Sequence, residues 1–176
     1  LTYNAMLLAK DRGHEIVFVV TSKEAPEYKI SSEDFKNFAS ENNIPFIHDP
    51  KISVSKLINI VNTTVPDICI SVNYSGVISS EVIDLFSYGI LNAHGGDLPR
   101  YRGNACQAWA IINGEKRMGL CIHKMIGGEL DSGDIIARSY KEIESNTRIG
   151  DLYKWMEEEI PSLLIEGIDK ISDNSE

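Results

Sequence analysis

Two short runs, apolar at nearly every position, restrict the fold more than any other feature of the chain. Ile16-Val-Phe-Val-Val20 follows Glu15, and Ile68-Cys-Ile-Ser-Val72 follows Asp67. Both are rich in β-branched residues and too short for a buried helix. A strand with one wet face alternates apolar and polar residues, whereas a continuous run marks a strand buried on both faces of a parallel sheet. The neighbouring segments supply the helices that such a sheet needs. Leu1 to Asp11 carries Met6, Leu7 and Ala9 and stops at Gly13. Ser32 to Asn43 is predicted as a helix with Ser32 as its N-cap. Ser53 to Thr64 places Val54, Leu57, Ile58 and Val61 on one side.

The alternation continues through a short strand at Pro45-Phe-Ile47, a short helix over Ser80 to Phe86, a strand over Gly89 to Asn92 and a helix over Asn104 to Asn113. Gly119 to Met125 and Asp134 to Lys141 are then two strands joined by a turn at Gly127-Gly128, so one pairing there is expected to be antiparallel. A last amphipathic stripe from Thr147 to about Ile171 contains Pro161, which is expected to kink or divide it. The predicted architecture is a doubly wound, Rossmann-like α/β domain, with a mostly parallel sheet and one antiparallel strand near the C-terminal part. The 176 residues suit one domain spanning 1–176. The chain opens on a helix without Met, so a first strand and its loop are expected to be missing. The C-terminus is expected to be cut short, with Ser172 to Glu176 polar and frayed.

Lys and Arg number 17 against 26 Asp and Glu, a net charge of −9. A broad grip on a phosphodiester backbone needs a basic face, and only Arg100-Tyr101-Arg102 offers a short basic run. Large nucleic-acid contact by this segment, with tRNA as with any other nucleic acid, is therefore disfavoured. No run is long and apolar enough to span a bilayer, and Leu1 to Lys10 lacks a signal-peptide pattern, so a cytoplasmic, membrane-free protein is expected. The three cysteines, Cys69, Cys106 and Cys121, are read as buried thiols in a reducing compartment. No His or Cys group has metal-ligand spacing, and no metal is expected. A homodimer is compatible with the sequence, which does not reveal oligomeric state.

The most informative stretch is Ile90-Leu-Asn-Ala-His-Gly-Gly-Asp-Leu-Pro-Arg-Tyr-Arg-Gly103. A buried strand ends here and polar groups appear at the carboxyl edge of the sheet, where open α/β sheets bind ligands. Asn92 and His94 are two apart, so in an extended chain their side chains share a side. An amide donor beside an imidazole suits attack on a carbonyl. Spacing alone favours the plainer reading, in which Asn92 caps a turn and His94 is a satisfied structural histidine, the commoner case for a short pattern. In Gly127-Gly-Glu-Leu-Asp-Ser-Gly-Asp-Ile-Ile136, either Asp131 or Asp134 has the carboxylate that would orient an imidazole, and an ordinary turn explains both. His123 is either a secondary polar group of the site or a core histidine. His14 and His48 have no partner pattern. Tyr74-Ser-Gly-Val-Ile78 belongs to the same rim, and Gly76 lets the backbone approach a flat ligand.

Together these segments resemble the formyltransferase N-terminal-domain family, which includes methionyl-tRNA formyltransferase, glycinamide ribonucleotide transformylase, sugar N-formyltransferases and formyltetrahydrofolate deformylase. The resemblance is specific from about Val65 to Ile143 and looser back to Leu1. It rests on Asn92-Ala-His94, Leu98-Pro99 with Arg102-Gly103, and Leu130-Asp-Ser-Gly-Asp-Ile135, in that order and with Asp131 37 residues after His94. It implies transfer of one carbon, as formyl, from N10-formyltetrahydrofolate to a primary amine. Asn92, His94 and Asp131 would be catalytic, with Asp131 chosen over Asp134, and His123 would match a histidine of the glycinamide branch. Gly76, Val77, Ile78, Gly128, Glu129 and Leu130 would cradle the folate. The family's Ser-Leu-Leu-Pro run is here Gly95-Gly-Asp-Leu-Pro99, which puts the Asp97 carboxylate near the expected approach of the amine. That residue and the acidic balance favour a small amine, with a nucleotide-linked amino sugar as the leading acceptor. So do the missing phosphate loop of the glycinamide branch and the missing C-terminal domain of the methionyl-tRNA branch. Methionyl-tRNA, glycinamide ribonucleotide and water (a deformylase) are the alternatives, and a non-catalytic folate-binding domain or an unrelated nucleotide-binding module belongs to a different class.

Overall fold

The computed structural model describes residues 1–22, 29–74 and 76–173. Among the described residues, six strands and six helices follow in chain order: α1 (Thr2–Asp11), β1 (Val19–Thr21), α2 (Ser32–Glu41), β2 (Phe46–His48), α3 (Val54–Thr64), β3 (Cys69–Val72), α4 (Ser80–Ile83), β4 (Ile90–His94), α5 (Cys106–Ile112), β5 (Arg117–Lys124), β6 (Ile135–Glu142) and α6 (Ile149–Asp173). β1 and β2 pair in parallel, and β3-β4-β5-β6 form a second ladder in which β3 and β4 are parallel. β5 runs against both of its neighbours, so one reversed strand makes two antiparallel pairings, one more than the turn implied.

The sheet is buried on both faces at its centre. Leu91, Ala93, Leu120 and Ile122 face Ala5 and Ala9 of α1 and Leu152, Ile160 and Leu164 of α6. On the other face Ile90 packs with Leu57 and Val61 of α3 and Val82 and Ile83 of α4. Fully burying an aliphatic side chain contributes roughly 1.5–3 kcal/mol, so these two layers supply much of the stability of the fold. α6 runs undivided through Pro161, so of the expected kink or division the division is not found. The proline is buried, and the helix continues despite a missing backbone donor and ring clash that together cost about 3 kcal/mol in a helix interior.

Two further expectations are corrected. Ser31, not Ser32, caps α2: its hydroxyl accepts from the Asp34 N–H, and the Asp34 carboxylate accepts from the Ser31 N–H at 2.7 Å, a reciprocal capping box. The apolar run from Glu15 pairs only over Val19–Thr21, because its partner β2 is three residues long. Of the rim and tail segments, Ser75 and residues 174–176 lie outside the described residues.

Candidate active site

β4 is the central positioning element. Its partners are in register, Ser71 with Asn92 across β3 and Asn92 with His123 across β5, so three polar side chains stand in a row on one face. The residue that follows on the same face is His94, at the carboxyl end of the strand. A bulge in β6 at this level pairs Ile122 with Ala137 but His123 with Ile135, leaving Ile136 as the extra residue beside the row.

The structure brings Asn92, His94, His123 and Asp131 together. Asn92 Nδ2 lies 3.1 Å from His123 Nε2. Asp131 Oδ2 lies 3.5 Å from His94 Nδ1, and Oδ1 lies 3.6 Å from His123 Nε2. The Gly103 N–H donates to Asp131 Oδ2 at 2.8 Å. Asp131 reaches this position because its backbone is left-handed, φ 47°, a conformation that Asp tolerates better than most residues. Asp134 is exposed, and its backbone carbonyl accepts from Lys124 N–H in the ladder.

His94 is buried, and its Nε2 donates to the Tyr101 carbonyl at 2.6 Å. A carbonyl only accepts, so the Nε2 proton is fixed and Nδ1 is the atom free to take a second one. Burial lowers the pKa of His94, and the Tyr101 carbonyl and the Asp131 charge pull upward without overcoming it. His94 is therefore neutral at pH 7 in the free protein. Burial pushes the Asp131 carboxyl up, but the His123 hydrogen bond, the Gly103 N–H and the two imidazoles outweigh it. The group ends below its ordinary value and stays ionised. Gly96 makes the His94 contact possible, since a Cβ there would fall 2.5 Å from His94 Nε2 and 2.4 Å from the Tyr101 carbonyl.

Sequence reasoning missed two neighbours. Cys106 Sγ sits 3.7 Å from His94 Nε2, but its thiol donates to the carbonyls of Tyr101 and Gly103, and burial raises its pKa. An uncharged thiol beside an imidazole whose Nε2 is already engaged is packing, not an activated nucleophile. Arg138 of β6 donates to Asp97 Oδ1 at 3.2 Å and to the Leu98 carbonyl at 2.8 Å, and Tyr140 OH donates to the same Asp97 oxygen. Gly119 leaves room for this, because a Cβ there would meet Asp97 Cα at 2.7 Å. Asp97 is thus neutralised within the loop, which removes the reason for aiming its carboxylate at an amine. No signal in the local sequence links Arg138 to a residue 41 positions away.

The rim segments meet beside this group. The Gly128 N–H donates to the Ile78 carbonyl at 3.2 Å, joining residues 76–78 to the turn of residues 128–130. Val77 and Leu130 are exposed apolar side chains, 67% and 59% accessible, while Ile78 is buried beneath. Of the remaining histidines, His48 Nδ1 bonds Thr21 Oγ1 across β1 and β2, and His14 lies 4.0 Å from Asp169. Cys106 and Cys121 are buried, whereas Cys69 is half-buried, with its thiol pushed up to about 12 by burial. Among the described residues no group of three His, Cys, Asp or Glu is placed to hold a metal ion, and no helix is long and apolar enough to cross a membrane.

Comparison with known proteins gives a family from sequence and a shared fold among solved structures. A methionyl-tRNA formyltransferase of Acetivibrio thermocellus is 31% identical over 96% of this chain and 55% of its own length. The enzyme of the same description from Clostridium tetani is 34% identical over 96% and 54%. The chain thus spans about half the length of these curated relatives. Among solved structures, a phosphoribosylglycinamide formyltransferase from Bacillus halodurans shares the fold with a TM-score of 0.78 at 19% identity, over 99% of this chain and 92% of that one. Residues 3–168 match the family model described as formyl transferase, and the chain belongs to that family.

Proposed function

We propose that this chain is the catalytic part of an enzyme that moves the formyl group of N10-formyltetrahydrofolate onto a primary amine, with methionyl-tRNA as the acceptor. The observation that carries the reading is the convergence of Asn92, His94 and Asp131 at the carboxyl edge of β4, beside an apolar rim. The bound folate supplies an activated formyl carbonyl. Residues 76–78 and 128–130 would hold it, with Val77 and Leu130 as apolar surface and with the backbone polar groups of both segments.

Asn92 donates through an amide N–H to the charge developing on the formyl oxygen, a contact whose removal typically costs about 2.7–4 kcal/mol. The acceptor nitrogen bonds to the formyl carbon and gives its proton to His94 Nδ1, since Nε2 is committed to the Tyr101 carbonyl; His94 returns that proton to N10 as the carbon–N10 bond breaks and tetrahydrofolate leaves. The imidazolium so formed points its new N–H at Asp131 Oδ2, and the ionised carboxylate stabilises it. His123 and the Gly103 N–H hold that carboxylate in place.

Methionyl-tRNA is preferred to an amino sugar because the matching relatives of 31–34% identity are methionyl-tRNA formyltransferases. The Asp97 argument for a small amine has also lost its basis, since Arg138 and Tyr140 engage that carboxylate. The charge of −9 over these 176 residues weighs little against relatives about twice as long.

The test incubates the full-length protein with 10-formyltetrahydrofolate and, separately, methionyl-tRNA, glycinamide ribonucleotide and a nucleotide-linked amino sugar, following tetrahydrofolate release. Release stimulated by methionyl-tRNA alone is expected. Release without amine would indicate a hydrolase, and folate binding without release on any acceptor would sink the enzyme reading.

A further inference from the structure

We infer that Ser71 is a positioning residue for Asn92, holding its amide so that one N–H stays aimed at the formyl oxygen; the inference rests on the function proposed above. Ser71 is directly opposite Asn92 in the parallel β3–β4 register, and His123 is directly opposite it on the other side. Neighbouring strands lie about 4.7–4.9 Å apart, so side chains paired on one face are neighbours, and a rotation of Ser71 about χ1 turns its hydroxyl toward the Asn92 amide. Ser71 is nine-tenths buried, at 8% exposure, and its Oγ has no hydrogen-bond partner among the described residues. Its own side of the strand is otherwise apolar, since the neighbouring Cys69 packs into the cluster of Leu57, Val82 and Ile90.

A hydroxyl buried in that setting costs free energy, and an alanine of nearly the same shape would avoid the cost. A polar group retained against stability points to a use in the working state. The row itself supplies the use. His123 Nε2 faces both the Asn92 amide and Asp131 Oδ1, so a proton on Nε2 satisfies the carboxylate and favours the amide oxygen on the His123 side. Rotation of the amide about χ2 then turns its NH2 toward Ser71 and the open edge of the sheet. Ser71 Oγ accepts one of the two N–H groups, which leaves the other for the formyl oxygen. Without the hydroxyl only the His123 contact holds the amide, and its N–H is less firmly aimed at the formyl oxygen.

Ser71→Ala in the full-length protein tests this, read by steady-state tetrahydrofolate release and by thermal unfolding. The expected result is a kcat about tenfold lower, an unchanged KM for 10-formyltetrahydrofolate, and a Tm equal to or above that of the wild type. A merely structural hydroxyl would give a lower Tm, with kcat per folded molecule unchanged. Either an unaltered kcat or a fall in Tm overturns the inference. A wild-type protein that releases no tetrahydrofolate fails the underlying reading instead, before the variant is considered.

Discussion

Replacing Asp131 with Asn removes one charge and almost no volume. Its carboxylate lies 3.5 Å from His94 Nδ1, and both side chains are about nine-tenths buried. With an effective dielectric near 20, a carboxylate and an imidazolium at that distance attract by about 5 kcal/mol. The Asn amide oxygen can still accept a hydrogen bond, which returns about 1–1.5 kcal/mol. The net loss from the state in which His94 carries the extra proton is then about 3–4 kcal/mol. At about 1.36 kcal/mol per tenfold, kcat should fall about 10²- to 10³-fold. The neutral form of the free protein loses little, so circular dichroism and Tm should stay close to wild type at pH 7. The upward pull of Asp131 on the His94 pKa also disappears, so the acid limb of the pH–rate profile should move to lower pH. The measurement is single-turnover release of tetrahydrofolate from pH 5 to 8 with a saturating acceptor. A folded Asp131→Asn protein within about threefold of the wild-type single-turnover rate would refute the ion-pair argument.

Three other outcomes follow from the same geometry. Gly96→Ala should keep the fold but drive His94 off the Tyr101 carbonyl, lowering kcat about 10²-fold, and full activity in that variant would contradict the assigned tautomer. The folded-state pKa of His94 lies below its ordinary value of 6.5, so between those two values the unfolded chain binds more protons and stability falls as the pH falls. Asp131 adds a second loss below about pH 3.8, where its depressed pKa is crossed. Urea midpoints from pH 7 to 5 should decline in wild type and decline less in His94→Gln, and equal slopes would refute the burial argument. Val65→Gly should raise stability by about 1 kcal/mol in urea unfolding, because a β-branched residue holds the left-handed cap of α3 at φ 46°, and a loss of stability would show that the strain is not there.

The class of fold was legible because burial on two faces leaves a direct mark on composition. Ile16–Val20 and Ile68–Val72 could not be half-wet strands, and the stripe of Leu152, Met156, Ile160 and Leu164 could only be a covering helix. Asn92 and His94 were also legible as a pair, since a period of two is a local property of an extended chain. Spacing left Asp131 and Asp134 equal, and resemblance alone chose between them. What tertiary structure decided were contacts between groups far apart in sequence. The left-handed turn at Asp131 carries its carboxylate to Gly103 and His94, a backbone carbonyl with no side-chain signature fixes the His94 proton, and Arg138 absorbs the Asp97 charge. Strand register places Ser71 and His123 on either side of Asn92. Periodicity reports which face of an element is buried; it carries no information about which residue stands opposite across a sheet, and that registry is where the chemistry of this site resides.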